Sequence, residues 1–136
     1  MNWNRFILSG AAAFVVMFAM GFVWHVPLFG AYYAEQASAL LKAEMVLPVI
    51  ILAEVIRAFV LAYVYPLGYK GGAPLVEGGR FGLMMGLFTA MLPLIYVSRY
   101  NYTSFNWFWV EGLFFLIQGA AAGIIIAYIH GGGSNK

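Results

Sequence analysis

Long apolar runs alternate with short polar stretches along the whole chain. A bilayer core about 30 Å thick asks for roughly 20 apolar residues per helix. Four stretches reach that length, at about 6–29, 45–65, 81–97 and 107–129. The pattern therefore predicts an all-α fold: a single four-helix transmembrane domain over 1–136, with GGGSNK at 131–136 as a flexible tail. Pro48 falls in the first turn of the second helix, where a missing N–H costs little, and Pro93 predicts a kink in the third. Between the runs, AYYAEQASALLKAE reads as a polar connector, YPLGYKGGAPLVEGGR as a loop, and SRYNYTSFN as a short turn. Ala37-Ser38-Ala39 imitates a signal cleavage site, but the apolar run before it is too long for a signal peptide, so the first helix is expected to be retained.

Composition points the same way. The 136 residues are 64% hydrophobic and 9% charged, with a mean hydropathy of +0.87. A soluble domain needs a charged outer face that this chain cannot supply, so lipid is the expected solvent for most of its surface. A net charge of +2 from seven Lys and Arg against five acidic residues is too weak and scattered for a nucleic-acid footprint. The absence of Cys removes disulfides, thiol nucleophiles and sulfur-built metal sites.

Lys and Arg flanking the spans set orientation. Arg5, Lys70, Arg80 and Lys136 fall on the side of both termini, Lys42 and Arg99 on the other, which predicts cytoplasmic termini in a multi-pass protein of the inner (plasma) membrane. Aromatics mark both expected interfaces: Trp24, Tyr32, Tyr33, Tyr100, Tyr102, Trp107 and Trp109 outside, Trp3, Tyr65, Tyr69 and Tyr128 inside. Small residues recur at helical spacing on the third helix (Gly82, Gly86, Thr89, Ala90, Pro93) and on the fourth (Gly112, Gly119, Gly123). Such stripes let backbones approach in lipid, so these two helices are expected to pack together.

The residues that disturb the apolar pattern are the candidates for function. In ILAEVIRAFVL, Glu54 and Arg57 stand among nine apolar residues, where insertion scales put a lone central charge at about 2.5–3.5 kcal/mol. At about 1.5 Å per residue, His25, Glu54, Arg57, Tyr96, Glu111 and Gln118 form a polar layer toward the outer half of the membrane. Glu54 and Arg57, three apart, share a helix face, but one carboxylate does not satisfy a guanidinium's five donors. The expectation is a Glu54–Arg57–Glu111 cluster inside the bundle, with His25 or Gln118 nearby. Such a network either fixes helix register and partner choice or lines an ion or ligand path.

Other chemistry finds little support. His25 and His130 lie at opposite ends of the expected bundle, too far apart to clamp a haem. No His-x-x-x-His or Glu-x-x-His spacing suggests a metal. GYKGGAP and EGGRFG are Gly-rich but follow no strand, so they do not read as phosphate or dinucleotide loops. Asn101-Tyr102-Thr103 matches a glycosylation sequon, a frequent chance match.

His25 at the end of the first helix, GYKGGAPLVEGGRFGLMMGL across the second loop and third helix, and the intramembrane Glu111 together resemble a group of small bacterial four-helix membrane proteins of the domain-of-unknown-function kind. Their pattern is a Gly-Tyr-x-Gly turn followed by Glu-Gly-x-Arg-Phe-Gly. The resemblance covers most of the chain and implies neither activity, substrate nor cofactor. It singles out His25, Glu77, Arg80 and Glu111. Glu77 and Arg80, three apart at the mouth of the third helix, suit an interfacial ion pair.

The sequence thus predicts a non-enzymatic accessory or structural subunit of a larger membrane assembly, without metal or cofactor of its own. It would contact lipids and neighbouring proteins or copies of itself, and through its aromatics a quinone or pigment. The alternative is a small oligomeric proton- or ion-linked carrier or channel that uses Glu54, Arg57 and Glu111.

Overall fold

The structure is a computed structural model that describes residues 2–36, 45–99 and 105–131. Within them the chain is helical, with no strand among the described residues. Helix α1 spans Trp3–Val23 and runs into a π-helical turn at Trp24–Leu28; α2 is Gly30–Gln36, α3 Leu47–Gly68, α4 Pro74–Arg99 and α5 Asn106–Gly131. Four helical segments are long and apolar enough to cross a membrane: Trp3–Leu28, α3, α4 and α5. Lys42, Ala37-Ser38-Ala39, Tyr100, Tyr102, the Asn101 sequon and all of the expected tail but Gly131 lie outside the described residues.

The π turn has an identifiable cause. Pro27 carries no N–H and its ring collides with the carbonyl four residues back, so an α-helical ladder cannot pass through it. A wider turn relieves the clash, and the Phe29 N–H reaches the Trp24 carbonyl five residues earlier at 2.9 Å. The connector expected after the first span begins as α2, a helix of Ala, Tyr, Glu and Gln. Helix α4 starts at Pro74, seven residues before the expected start at 81. Pro74 opens it without losing a needed hydrogen bond. Glu77 in its first turn complements the positive end. The loop before it therefore shortens to residues 69–73, where Gly71 adopts φ +85°.

Helix α5 is the centre of the bundle, packed against α4 on one side and α1 on the other, and α3 lies mainly against α1. Between α4 and α5 the backbones meet along glycines. A methyl group on Gly86 would stand 2.5 Å from the Phe115 carbonyl oxygen, and one on Gly78 2.5 Å from that of Gly123. Gly82 and Gly119 face each other's carbonyls in the same way. Gly112 is buried but less tightly held, with Ala90 at 3.8 Å from where its methyl would be. Ala13, Met17, Ala58, Ala62, Ala122, Ile126 and Ala127 form a fully closed apolar core with Tyr65. Tyr65, expected at the inner interface, is thus only 3% exposed, because it closes this core beneath Phe81 and His130. Arg5 donates to the His130 carbonyl at 2.8 Å, which caps α5 with a cation and brings both ends of the described chain to one end of the bundle.

Candidate functional site

Polar side chains enter the bundle at two levels. Arg57 is the eleventh of the 22 residues of α3, near its midpoint. Its Nη1 donates to Glu54 Oε1 at 2.6 Å, and its Nη2 donates to Gln118 Oε1 on α5 at 2.9 Å. The Gln118 amide then donates to the Met17 carbonyl on α1 at 3.0 Å. Each direction is forced, because a guanidinium only donates and a carbonyl only accepts. Gln118 is fully buried, so this three-helix bridge is locked in place. The guanidinium also lies over the Phe115 ring, 5.3 Å from its centroid, and its side chain remains about a third exposed at the lateral surface.

The second level belongs to Glu111, close to the start of α5. Its Oε2 accepts from the Tyr33 hydroxyl at 2.5 Å and meets His25 Nε2 at 3.3 Å. Trp24 Nε1 donates to the Tyr33 oxygen at 3.1 Å, so the phenol hydrogen is left to point at Glu111. His25 Nδ1 lies 2.9 Å from the Gly21 carbonyl and must carry a hydrogen to bond it. The remaining nitrogen, Nε2, then faces a carboxyl oxygen, and a favourable contact needs one proton between them, on either partner. Aromatic rings surround this pair. His25 stacks on Tyr33 with centroids 4.8 Å apart and meets Phe114 edge-on at 4.8 Å. Burial raises the Tyr33 phenol above the ordinary tyrosine range, and the Glu111 carboxyl raises it further.

The expected Glu54–Arg57–Glu111 cluster does not form: Arg57 takes Glu54 and Gln118, while Glu111 takes His25 and Tyr33. The axial levels explain the division. Arg57 lies ten residues into α3, about 15 Å along it, and Gln118 twelve residues into α5, about 18 Å; Glu111 is only five residues in, about 8 Å. Tyr96 is 48% exposed on α4. Glu77 makes no ion pair with Arg80, which is exposed. Its carboxylate instead accepts the backbone N–H of Gly72 at 3.1 Å and of Lys70 at 3.4 Å, holding the 69–73 turn against α4. Sequence reasoning placed Tyr33 and Trp24 in an interfacial belt and passed over Phe114. Pro27 is the signal that the chain turns there.

A lateral cleft of about 800 Å³ opens beside the His25–Tyr33 side of the Glu111 level. Its walls come from Met17, Gly21, Phe22, His25, Tyr33 and Phe114 on one side and from Leu47, Ile50 and Glu54 of α3 on the other. Among the described residues no three His, Cys, Asp or Glu side chains gather as a metal cage requires. Comparison of the chain with protein-family models, with curated proteins and with solved structures gives no match.

Proposed function

We propose that the protein is a non-enzymatic subunit of a larger membrane assembly, with both termini on the cytoplasmic side of the inner (plasma) membrane. The observation that carries this reading is Arg57. It sits at the middle of a span with its side chain about a third exposed, where acyl chains offer no acceptor and an unshielded central charge costs about 2.5–3.5 kcal/mol. Glu54 and Gln118 take two of its N–H groups, and an acceptor from an adjoining protein would relieve the others. The surface around it suits such a neighbour: α3 buries only 11% of its most apolar window, and Ile56, Val60 and Tyr63 are exposed. A photo-crosslinking residue at Val60, activated in intact membranes, tests the proposal. Crosslinks to a distinct protein that co-purifies stoichiometrically in mild detergent support it. Crosslinks to lipid alone, with a homogeneous monomer or homodimer, would reject it.

A second reading, the proton- or ion-linked carrier, draws on the proton held between His25 and Glu111. Against a path through one chain stands the closed apolar layer of Ala13, Met17, Ala58, Ala62, Ala122 and Ile126, each at most 1% exposed, between Gln118 and His130. Reconstituted vesicles separate the two readings. Proton flux abolished by Glu111→Gln favours the carrier; flux indistinguishable from empty vesicles removes it.

A further inference from the structure

We infer that the lateral cleft binds one long-chain amphiphile whose neutral head carries a hydroxyl group. The cleft holds about 800 Å³, within the range of roughly 300–1,000 Å³ usual for small-molecule sites. Its mouth is made of the exposed apolar side chains Phe22, Val26, Met45 and Val49, so it faces the space that acyl chains occupy. Its polar groups define the head. His25 is committed to Gly21 and Glu111, and Tyr33 to Trp24 and Glu111. Glu54 spends one carboxylate oxygen on Arg57, while its Oε2 is buried and has no hydrogen-bond partner among the described residues. A carboxylate oxygen without a donor in an apolar setting is strongly unfavourable. What this wall lacks is therefore a donor, not an acceptor. Glu54 is part of the cleft wall and its side chain keeps 16% exposure, so a hydroxyl entering along the cleft reaches this side chain and bonds Oε2 as the carboxyl turns toward the cleft. Phosphate and carboxylate heads are repelled by that same side chain, and a ketone or oxidised quinone brings no donor. Glu54 lies seven residues into α3, about 10 Å along it, where a neutral head is desolvated at far lower cost than a charged one. Prenylated hydroquinones and lipid alcohols such as diacylglycerol share this chemistry.

Native mass spectrometry of the full chain in mild detergent tests the assignment. The probes are a decyl-substituted hydroquinone kept reduced, its dimethyl ether, dioleoylglycerol and decylamine. The expected result is retention of one molecule of the hydroquinone or of the diacylglycerol, with the preferred one identifying the source. The dimethyl ether, which keeps shape but loses both donors, should bind roughly ten-fold or more weakly. Ile50→Trp, which adds bulk at a wall position 39% exposed and so leaves the core intact, should reduce retention to a similar degree. Failure to retain either hydroxyl-bearing probe overturns the proposal, as does unchanged binding in Ile50→Trp. Equal binding of the dimethyl ether overturns the assigned head, and so does tighter binding of decylamine.

Discussion

His25 Nε2 and Glu111 Oε2 stand 3.3 Å apart, joining helices separated by 86 residues of chain. Because His25 Nδ1 is tied to the Gly21 carbonyl, the pair needs one proton between them and has no net charge wherever that proton sits. Both contacts fall on the one oxygen Oε2, so the amide of Glu111→Gln keeps only one of them there: its oxygen still accepts from Tyr33, at the loss of the longer His25 contact. We therefore expect Glu111→Gln to cost about 1 kcal/mol or less, and Glu111→Leu, which strands the Tyr33 hydroxyl, about 1–3 kcal/mol. Thermal unfolding of both variants in one detergent measures the difference. Equal losses would show that the pair is not held as described.

The Glu54–Arg57–Gln118 bridge should behave as a unit. Removing one partner of a buried ion pair costs about 3–5 kcal/mol, because the other charge is left behind, whereas apolar replacement of the pair can be close to neutral. Glu54 is mostly buried and Arg57 less so, so Glu54→Met, which leaves the more exposed charge behind, falls toward the lower end of that range and Arg57→Met toward the upper. The double variant Glu54→Met, Arg57→Met should recover much of the loss. A double-mutant cycle on unfolding free energies measures the coupling, and strict additivity would mean that the contact contributes nothing.

The four spans could be read from the sequence because bilayer thickness imposes a length on apolar runs that no loop satisfies. The pairing of Glu54 with Arg57 could be read as well, from their i,i+3 spacing; the separation of Glu111 from that pair could not. A rise per residue gives the depth of a side chain, but pairing also depends on rotation about each helix axis, and Pro27 changes that rotation. The π turn inserts an extra residue, which shifts the facing of everything beyond it by roughly 100°. That shift and the start of α2 at Gly30 bring Tyr33 back over Glu111. Glu77 misled for another reason. Spacing makes Arg80 a plausible partner, but the unpaired N–H groups of the Lys70–Gly72 turn are nearer and are fixed in place.

The α4–α5 seam yields a contrast between two glycines. A side chain at Gly82 would run into the backbone of Gly119 and Ala120, whereas one at Gly68 meets nothing within 4 Å. Backbone atoms cannot rotate aside, so Gly82→Ala must push the helices apart, at a cost of about 1–3 kcal/mol. Gly68→Ala should be neutral within about 0.5 kcal/mol or mildly stabilising. Unfolding midpoints in detergent check both. Similar stabilities for the two variants would mean that the seam is not closed at glycine distance.

Alkali should separate Tyr33 from the other tyrosines. Burial and the Glu111 carboxyl both raise its phenol, so the folded protein holds this proton more tightly than the unfolded chain, whose tyrosines titrate near pH 10. The stability this adds is complete below about pH 10 and is lost as pH rises beyond that value, since there the unfolded state gains by ionising while the folded state does not. Ultraviolet difference titration of the wild type against Tyr33→Phe reads it directly. In folded protein the difference should show no tyrosinate forming near pH 10, and the missing signal should appear only as the protein unfolds. Ordinary titration of Tyr33 near pH 10 in folded protein would mean that its hydroxyl faces water and not Glu111.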